Sequence, residues 1–272
     1  MAVIEIKETF GKYRSGFVEN NSINSKMPAE KIRIHFIEKN FQKKDTMAVV
    51  MSPGLWEPAE RAIPLFDALD YHCVSLSFRG RGQSSTPVTG YDLNDHVSDL
   101  SAVIDGLKLV SIVITAFSKG VQYACGYAAK YPKKIKGMIL IDQAPVHIKP
   151  PPGYASYWKN LVYLGKSSIK YMRPEALDGI EKESTEISFW SKLSSFNFPI
   201  LVLRGTSSVS KIKSELTEAD MTLYRKYAKE LSEENFDFSG HMIVDEELGK
   251  YRMVVNNFIS ELRVGQMIQK SK

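Results

Sequence analysis

The sequence has 272 residues, of which 43% are hydrophobic and 25% charged, and its formal net charge is +5. This composition is typical of an ordinary globular protein and excludes the disordered, collagen-like and coiled-coil classes. The small positive excess forms no basic tract, so nucleic acid is not expected as a partner.

No targeting or membrane-spanning segment is predicted. Charged residues interrupt the first seven positions, where a signal peptide would need an apolar run. No apolar run is long enough to cross a membrane. The two cysteines, Cys73 and Cys125, lie in apolar stretches and are interpreted as buried thiols of a reducing compartment. A cytoplasmic location is therefore expected.

The first part of the chain predicts antiparallel strands. Residues 1 to about 28 are expected to form a strand or a hairpin. Residues 31–37 alternate polar and apolar side chains with period two, which predicts an antiparallel edge strand with one face in water.

From residue 48 onwards, short apolar runs alternate with helical patterns. The runs predict strands that are buried on both faces, at 48–51, 73–78, 112–114, 138–141 and 200–203. Apolar side chains at three- and four-residue spacing predict helices at 93–107 and 248–262, and a further helical pattern covers 59–69. Strands that alternate with helices indicate a doubly wound, mostly parallel sheet.

The stretch from 145 to 195 interrupts this alternation. It opens with three prolines and a glycine, it is rich in aromatic residues, and no strand is predicted in it. An insertion at the carboxyl end of a strand is where a lid over an active site would lie, although a helical excursion that only fills space would look the same. The predicted organisation is a core of 1–144 and 196–272 with a helical lid or cap at 145–195.

Ser118 lies in a strand–turn–helix context. The segment Ala116-Phe117-Ser118-Lys119-Gly120 follows an apolar run and precedes a helical pattern with small residues. A sharp turn here would hold the serine hydroxyl above the sheet, and the small residues on either side would let strand and helix approach closely. The helix N-terminus would add backbone N–H groups and a partial positive charge. A plain turn in which Ser118 only caps the helix would use the same residues.

Two further segments favour a catalytic role for this serine. A Pro-Gly turn at 53–54 would direct the Leu55 N–H towards the serine, where it could form an oxyanion hole with the Lys119 N–H. His241 follows a Ser-Gly pair near the C-terminus and could return to the same sheet edge as a general base. The other four histidines are expected to be structural.

In this order, the motifs resemble the α/β-hydrolase superfamily over residues 45–264. The oxyanion turn, an Arg-Gly-x-Gly-x-Ser turn at 79–84, the atypical Ala-Phe-Ser-Lys-Gly elbow, a lid and a late histidine succeed one another as in that family. The resemblance implies an eight-stranded, mostly parallel sheet flanked by helices, with the lid inserted after the sixth strand. It also implies Ser–His–acid chemistry, with Ser118 as nucleophile, His241 as base, and Leu55 and Lys119 as oxyanion donors.

The triad acid departs from the family pattern. The loop after the run at 200–203 contains no Asp or Glu before Glu215. Asp142, at the end of the preceding predicted strand, is the favoured substitute, because a minority of the family places its acid there. Asp142 could equally cap the turn that follows it. Glu218 and Asp220 are weaker candidates, since they are expected at a solvated helix start.

Lys119 is a second departure, because the family mostly has an uncharged residue after its nucleophile. Its ammonium group could meet an anionic substrate, steady an oxyanion, or pair with Asp142 or Glu57. The sequence leaves these alternatives open. Trp56, beside the oxyanion turn, and Trp158, in the aromatic insertion, are expected to contact the substrate.

Two functional interpretations follow. The first is a small serine hydrolase that cleaves an ester, a lactone or a related acyl substrate. The second is a ligand-binding or sensor protein on the same scaffold, with little turnover. No metal-ligand pattern and no complete dinucleotide fingerprint occurs, so neither a metal nor a cofactor is expected. The partner expected is a small-molecule acyl substrate, and a homodimer is kept open as the alternative to a monomer.

Overall fold

A computed structural model describes residues 4–20, 32–43 and 47–270. The strands are β1 (Ile4–Phe10), β2 (Tyr13–Asn20), β3 (Ile32–Lys39), β4 (Ala48–Ser52), β5 (Cys73–Leu76), β6 (Ile112–Phe117), β7 (Ile135–Ile141), β8 (Val146–His147), β9 (Val162–Tyr163), β10 (Lys166–Ser167), β11 (Ile187–Ser188), β12 (Ile200–Gly205) and β13 (Leu231–Phe236). The helices are α1 (Ile63–Phe66), α2 (Leu93–Gly106), α3 (Lys119–Lys130), α4 (Tyr154–Lys159), α5 (Pro174–Glu183), α6 (Trp190–Leu193), α7 (Glu218–Tyr227), α8 (Ile243–Glu246) and α9 (Leu248–Lys270).

One large sheet organises the described chain. It has nine strands in the order β1-β2-β3-β5-β4-β6-β7-β12-β13, one strand more than the eight expected. The six strands from β5 to β13 in this order pair in parallel, whereas β1, β2, β3 and the contact of β3 with β5 are antiparallel. Helices α2, α3 and α7 cover one face, and α1 and α9 cover the other. The α/β architecture with a mostly parallel sheet is therefore confirmed.

The central strands follow from their residue types. In β6, Ile112, Val113, Ile114 and Thr115 are β-branched, and such side chains pack well on a pleated surface. All six residues of β6 are buried, because helices cover both faces of a parallel sheet. The sequence of this strand is therefore a continuous apolar run and does not alternate between polar and apolar residues.

The prediction that β3 is an edge strand with one wet face is wrong. The hairpin of β1 and β2 extends the sheet, so β3 lies third from the edge. Two of its polar side chains, His35 and Glu38, are buried instead of hydrated, and Glu38 Oε2 lies 2.7 Å from Nε2 of His72, whereas Arg33 is exposed. The predicted N-terminal hairpin is confirmed within 4–20, while residues 1–3 and 21–28 of that prediction lie outside the described part.

The carboxyl ends of three neighbouring strands meet at one edge of the sheet. β4 ends at Ser52, which pairs with Ala116 of β6, and Phe117 of β6 pairs with Ile141 of β7. The residues that follow these ends therefore lie side by side. This register brings the turn at 53–55, Ser118 and Asp142 to the same edge.

The segment 145–195 contains more structure than the sequence predicts. Besides α4, α5 and α6 it holds four two-residue strands, which pair as β8 with β11 and β9 with β10. The expectation of no strand here is wrong, because a strand of two residues is too short to carry a periodic pattern. Residues of α4 and α5 pack against Leu55 and Trp56, so this segment lies beside the turn that follows β4.

Two other sequence expectations can be compared with the structure. Cys73 and Cys125 are both buried and free. None of the helices in the described ranges is long and apolar enough to cross a membrane.

The close approach of α3 to β4 yields a prediction. We expect Gly120→Ala to lower the free energy of unfolding by about 1–3 kcal/mol, because added bulk forces packed backbone to shift. Its new Cβ would stand 2.1 Å from the Ser52 carbonyl oxygen. Urea denaturation followed by circular dichroism measures the change. Gly249→Ala is the control, since its Cβ would meet nothing within 4 Å. Equal losses in the two variants would contradict the close approach.

Candidate active site

Ser118 occupies a strained turn between β6 and α3. Its φ of 51° and ψ of −126° lie in a region that costs a non-glycine residue about 1–3 kcal/mol. Its N–H donates to the Ile141 carbonyl at 3.2 Å, which ties the turn to the neighbouring strand. The side chain makes no capping hydrogen bond to α3, so the alternative role as a helix cap does not apply. The side chain is half-buried, at the carboxyl edge of the sheet.

The residues around Ser118 let strand and helix meet. Ala116 pairs with Ser52 of β4, and Ser52 Oγ donates to the Gly120 carbonyl at 2.9 Å. A side chain at Gly120 would collide with this strand, which explains the glycine two positions after the serine. The turn is thereby fixed from both sides.

Asp142 and His241 form a direct pair. Asp142 follows β7 and His241 lies in the loop after β13, yet Nδ1 of His241 is 2.8 Å from Oδ2 of Asp142. The carboxylate is fully buried, and the ring is nearly so. A carboxylate at Nδ1 fixes the ring tautomer and leaves Nε2 free to exchange a proton.

The loop after β12 holds Asp142 in place. Oδ1 of Asp142 accepts from the Gly205 N–H at 3.0 Å and from the Ser214 hydroxyl, and Oδ2 accepts from the Glu215 N–H at 2.9 Å. The loop that lacks the expected acid therefore supplies hydrogen-bond donors to an acid on the neighbouring strand. These donors could not be predicted from the sequence, because Gly and Ser are common in loops and do not indicate which group they bind.

The loop that carries His241 is tightly packed. The His241 N–H donates to the Ile212 carbonyl at 2.9 Å, and the Gly240 N–H donates to Glu246 at 2.8 Å. A Cβ at Gly240 would stand 1.9 Å from the Ile212 carbonyl oxygen, so the preceding glycine is sterically required.

The imidazole of His241 lies next to the serine turn. Its ring centroid is 4.9 Å from that of Phe117, the residue before Ser118. No hydrogen bond joins the Ser118 hydroxyl to His241 in the part of the chain that the structure describes. Such a contact commonly tightens only when substrate is bound. The structure thus brings the predicted serine, histidine and aspartate to one sheet edge, with the last two in direct contact.

The turn after β4 leaves the Leu55 N–H without an acceptor among the described residues. The Gly54 N–H donates to Oε2 of Glu57 at 3.0 Å, and the Leu55 carbonyl accepts from Nε of Arg81 at 2.9 Å. These contacts hold the turn on both sides of the Leu55 N–H. Among the described residues neither the Leu55 N–H nor the Lys119 N–H has an acceptor, as an oxyanion hole requires.

The side chain of Lys119 is buried and has no hydrogen-bond or ion-pair partner among the described residues. It is 7% exposed, and none of the described carboxylates lies within ion-pair distance of it. Asp142 pairs with His241, and Glu57 accepts from Tyr163 and Arg61. Neither carboxylate therefore forms the ion pair with Lys119 that the sequence allowed. Burial, reinforced by the charge of Arg81, lowers the pKa of Lys119 to about 7.

The two predicted tryptophans lie over the oxyanion turn. Trp56 and Trp158 pack, together with Leu55, against an apolar cluster that includes Met172 and Leu177 of the 145–195 segment. The Trp56 indole N–H is buried and has no acceptor among the described residues. This cluster can bound a substrate pocket above the turn.

The alternative acids lie elsewhere. Glu218 is exposed and pairs with Arg204 and Arg225, each at 2.7 Å. Asp220 accepts from the Thr217 N–H at 2.9 Å and caps α7. Neither carboxylate contacts His241. Within the described ranges, no group of three or more His, Cys, Asp or Glu side chains could hold a metal ion.

The buried charge of Lys119 predicts an unusual stability effect. We expect Lys119→Met to raise the free energy of unfolding at pH 6 by about 1–3 kcal/mol, because an apolar side chain replaces an unpaired buried cation. The gain should shrink as the pH rises from about 7 towards 10.5, since Lys119 of the folded protein then loses its charge while the unfolded chain keeps it. Urea unfolding at several pH values measures it.

Lys130→Met is the matched control, because Lys130 is an exposed lysine at the other end of the same helix. We expect it to change the free energy of unfolding by less than about 0.5 kcal/mol. A loss of stability in Lys119→Met at pH 6 would mean that Lys119 has a structural counter-ion.

Comparison with known proteins agrees with this geometry. A family model described as the alpha/beta hydrolase fold matches residues 48–164. The 2-(acetamidomethylene)succinate hydrolase of Mesorhizobium japonicum is 32% identical over 72 residues, which are 26% of this chain and 26% of that protein. The putative 2-succinyl-6-hydroxy-2,4-cyclohexadiene-1-carboxylate synthase of Bacillus subtilis is 25% identical over 133 residues, or 47% of this chain and 43% of that protein. The matches thus span less than half the length of these two relatives.

A likeness to solved structures extends over most of the chain. A thermophilic esterase from Thermogutta terrifontis superposes with a TM-score of 0.71 at 15% identity, and the match covers 90% of this chain and 98% of that one. At this identity the likeness shows the fold. The sheet order, the serine turn and the matching family model together lead to one conclusion: the chain has the α/β-hydrolase fold.

Proposed function

We propose that the protein is a serine hydrolase that cleaves a small ester, a lactone or a related acyl substrate. The observation that carries this proposal is the 2.8 Å contact of Asp142 with His241, at the sheet edge where Ser118 stands in its strained turn. A carboxylate, an imidazole and a hydroxyl in this arrangement are the components of nucleophilic acyl transfer.

In the proposed reaction, Ser118 Oγ attacks the substrate carbonyl while Nε2 of His241 takes the hydroxyl proton. The N–H groups of Leu55 and Lys119 donate to the oxyanion that forms. His241 then protonates the leaving alcohol, and an acyl-enzyme remains. Water activated by His241 attacks the acyl-enzyme and releases the acid, which restores Ser118. Asp142 stabilises the imidazolium in both steps.

The pocket of this proposed enzyme lies between the oxyanion turn and the segment 145–195, which acts as its lid. Trp56 and Trp158 line it as apolar walls, since both pack against the same apolar cluster as Leu55. A substrate of modest size with an apolar part fits such walls. The names of relatives support the general chemistry, because they include a 2-(acetamidomethylene)succinate hydrolase and an esterase.

A binding or sensor protein is the second candidate. The main argument for it was the absence of an acid in the loop after β12. The contact between Asp142 and His241 weakens that argument, and the buried Lys119 is compatible with either function. A cytoplasmic location and a homodimer stay predictions from the sequence.

A serine-reactive fluorophosphonate probe tests the nucleophile. We expect one adduct, located on Ser118 by mass spectrometry, that is absent in Ser118→Ala and greatly slowed in His241→Ala. The physical reason is that only a hydroxyl with a base in reach attacks phosphorus at a useful rate. Folded protein that takes up no label would favour the binding protein.

The role of Asp142 is tested by Asp142→Asn. We expect the kcat for a 4-nitrophenyl ester to fall at least about tenfold, and by up to about 10⁴-fold, because an amide neither stabilises the imidazolium nor holds the neutral ring in the correct tautomer. Glu218→Gln is the matched control, since it removes the charge of a carboxylate that pairs only on the surface. Thermal melts confirm that both variants fold. An unchanged kcat in Asp142→Asn would remove Asp142 from the proposed triad.

A further inference from the structure

Lys119 places a buried positive charge beside the serine. It is the first residue of α3, directly after Ser118, and its side chain has no described ion-pair partner. An unpaired buried charge costs several kcal/mol, so folded proteins normally pair such groups or leave them neutral. A bound anionic ligand would supply the counter-ion that this buried lysine lacks.

The carboxylate that acts on Lys119 is engaged elsewhere. Asp92 attracts Lys119 electrostatically. Its Oδ1 accepts from the Thr185 N–H at 2.9 Å, and its Oδ2 accepts from the Thr185 hydroxyl at 3.0 Å. Both oxygens thus hold the segment 145–195 in place. Asp92 lowers the local positive potential without bonding to Lys119.

A second buried cation lies in the same region. Arg81 is fully buried, and it raises the local potential enough to lower the pKa of Lys119. Its guanidinium contacts only uncharged groups among the described residues: the carbonyls of Leu55 and Arg79, the His96 ring and the Tyr123 hydroxyl. The charges that act on Lys119 are therefore Arg81, which opposes its protonation, and Asp92, which favours it.

Two uncharged polar groups near Lys119 also lack partners. His147 of β8 donates from Nδ1 to the Thr185 carbonyl, which leaves its buried Nε2 as an acceptor without a described donor. Burial and the nearby charge of Lys119 lower the pKa of His147 to about 4, so it stays neutral. Gln122 lies three residues after Lys119 on the same side of α3, and its buried Oε1 is also unpartnered.

We infer that Lys119 Nζ binds an anionic group of the substrate, and that the acyl substrate is a carboxylate-bearing ester or lactone. This inference rests on the proposed function for the reaction itself. The carboxylate of the substrate supplies the counter-ion that the described chain lacks. The unpartnered acceptors of His147 and Gln122 receive hydrogen bonds from the Lys119 ammonium or from donor groups of the ligand. The Lys119 N–H serves the oxyanion, and its side chain selects the substrate.

Two matched pairs of esters test this inference. In the first pair, 4-nitrophenyl hemisuccinate carries a carboxylate on the acyl side, and 4-nitrophenyl 4-methylpentanoate is its neutral counterpart. In the second pair, 4-acetoxybenzoate carries the carboxylate on the leaving group, and 4-acetoxybenzamide is neutral. The measured quantity is the ratio of kcat/KM for the charged ester to that for the neutral ester. Taking a ratio cancels any general effect of a variant on the triad.

We expect Lys119→Met to lower this ratio about 10- to 100-fold in at least one pair, chiefly through KM, because a hydrogen bond to a charged group is lost. Lys119→Gln should behave in the same way and guards against a packing defect of the methionine. Lys130→Met removes an equal charge from the far end of α3 and should leave the ratio unchanged. Equal ratios in the wild type and in both Lys119 variants would overturn the inference.

The pH dependence gives a second readout. Because kcat/KM reports groups of the free enzyme, the wild-type ratio should fall as the pH rises above about 7, where Lys119 loses its proton. Arg81 and Asp92 are the charged groups that act on Lys119, and His147, whose pKa is lowered to about 4, stays neutral in this range. The ratio in Lys119→Met should be flat. A wild-type ratio that is independent of pH from about 6 to about 9 would count against the inference.

The outcomes separate this inference from the proposed function. If neutral esters are cleaved through Ser118 but the kcat/KM ratio is the same in the wild type and the Lys119 variants, only the inference fails. If no ester is cleaved and the probe does not label Ser118, the proposed function fails. Succinate binding, measured by calorimetry on the wild type and on Lys119→Met, then decides the anion site. Binding that depends on Lys119 supports the site, and equal or absent binding overturns it.

Discussion

The site depends on how closely three parallel strand ends approach one another. The turn at Ser118 has to reverse the chain from β6 into α3 within one residue, and the glycine at 120 has to pass against the backbone of Ser52. Backbone contact at this distance leaves no room for a different turn. The same contact sets the distance between the Lys119 N–H and the chain after β4, so one packing constraint positions both the hydroxyl and its neighbouring N–H groups. The surrounding sheet holds the serine in its strained backbone conformation, as is common at functional sites.

The acid of this site follows a different strand from the one usual in α/β-hydrolases, yet it still reaches His241. Asp142 follows β7, whereas the loop after β12 contributes the Ser214 hydroxyl and the Glu215 N–H that bind it. Hydrogen bonds from the backbone to a carboxylate favour its ionised form. The buried carboxylate therefore has partners for both oxygens, and His241 is oriented by a group that is itself firmly held. The electrostatic balance on the other side of Ser118 is different, because Lys119 and Arg81 have no comparable carboxylate.

Sequence reasoning succeeds here where a local pattern determines a local structure. The apolar runs at 48–51, 112–114 and 138–141 mark strands whose carboxyl ends must share an edge in a parallel sheet, and this is enough to bring Ser118 and Asp142 together. Sequence reasoning fails where the burial of a side chain depends on segments that are distant in the sequence. The alternation in β3 is real, but the β1–β2 hairpin extends the sheet past it, which no local pattern reveals. The isolation of Lys119 is also invisible in the sequence, because it depends on Asp92, Asp142 and Glu57 having other partners.

The way the loop after β12 meets Asp142 has a consequence for how this edge of the molecule can change. The loop contacts the carboxylate near its far end, through Ser214 and the Glu215 amide, and its tip projects into solvent, where Val209 is 88% exposed. Exposed loop tips are the places where chains accept insertions most readily. Since the tip carries no acid, residues can be gained or lost at the exposed positions around 209, whereas the buried Ser207 and Ser210 on either side mark where such changes of length have to stop.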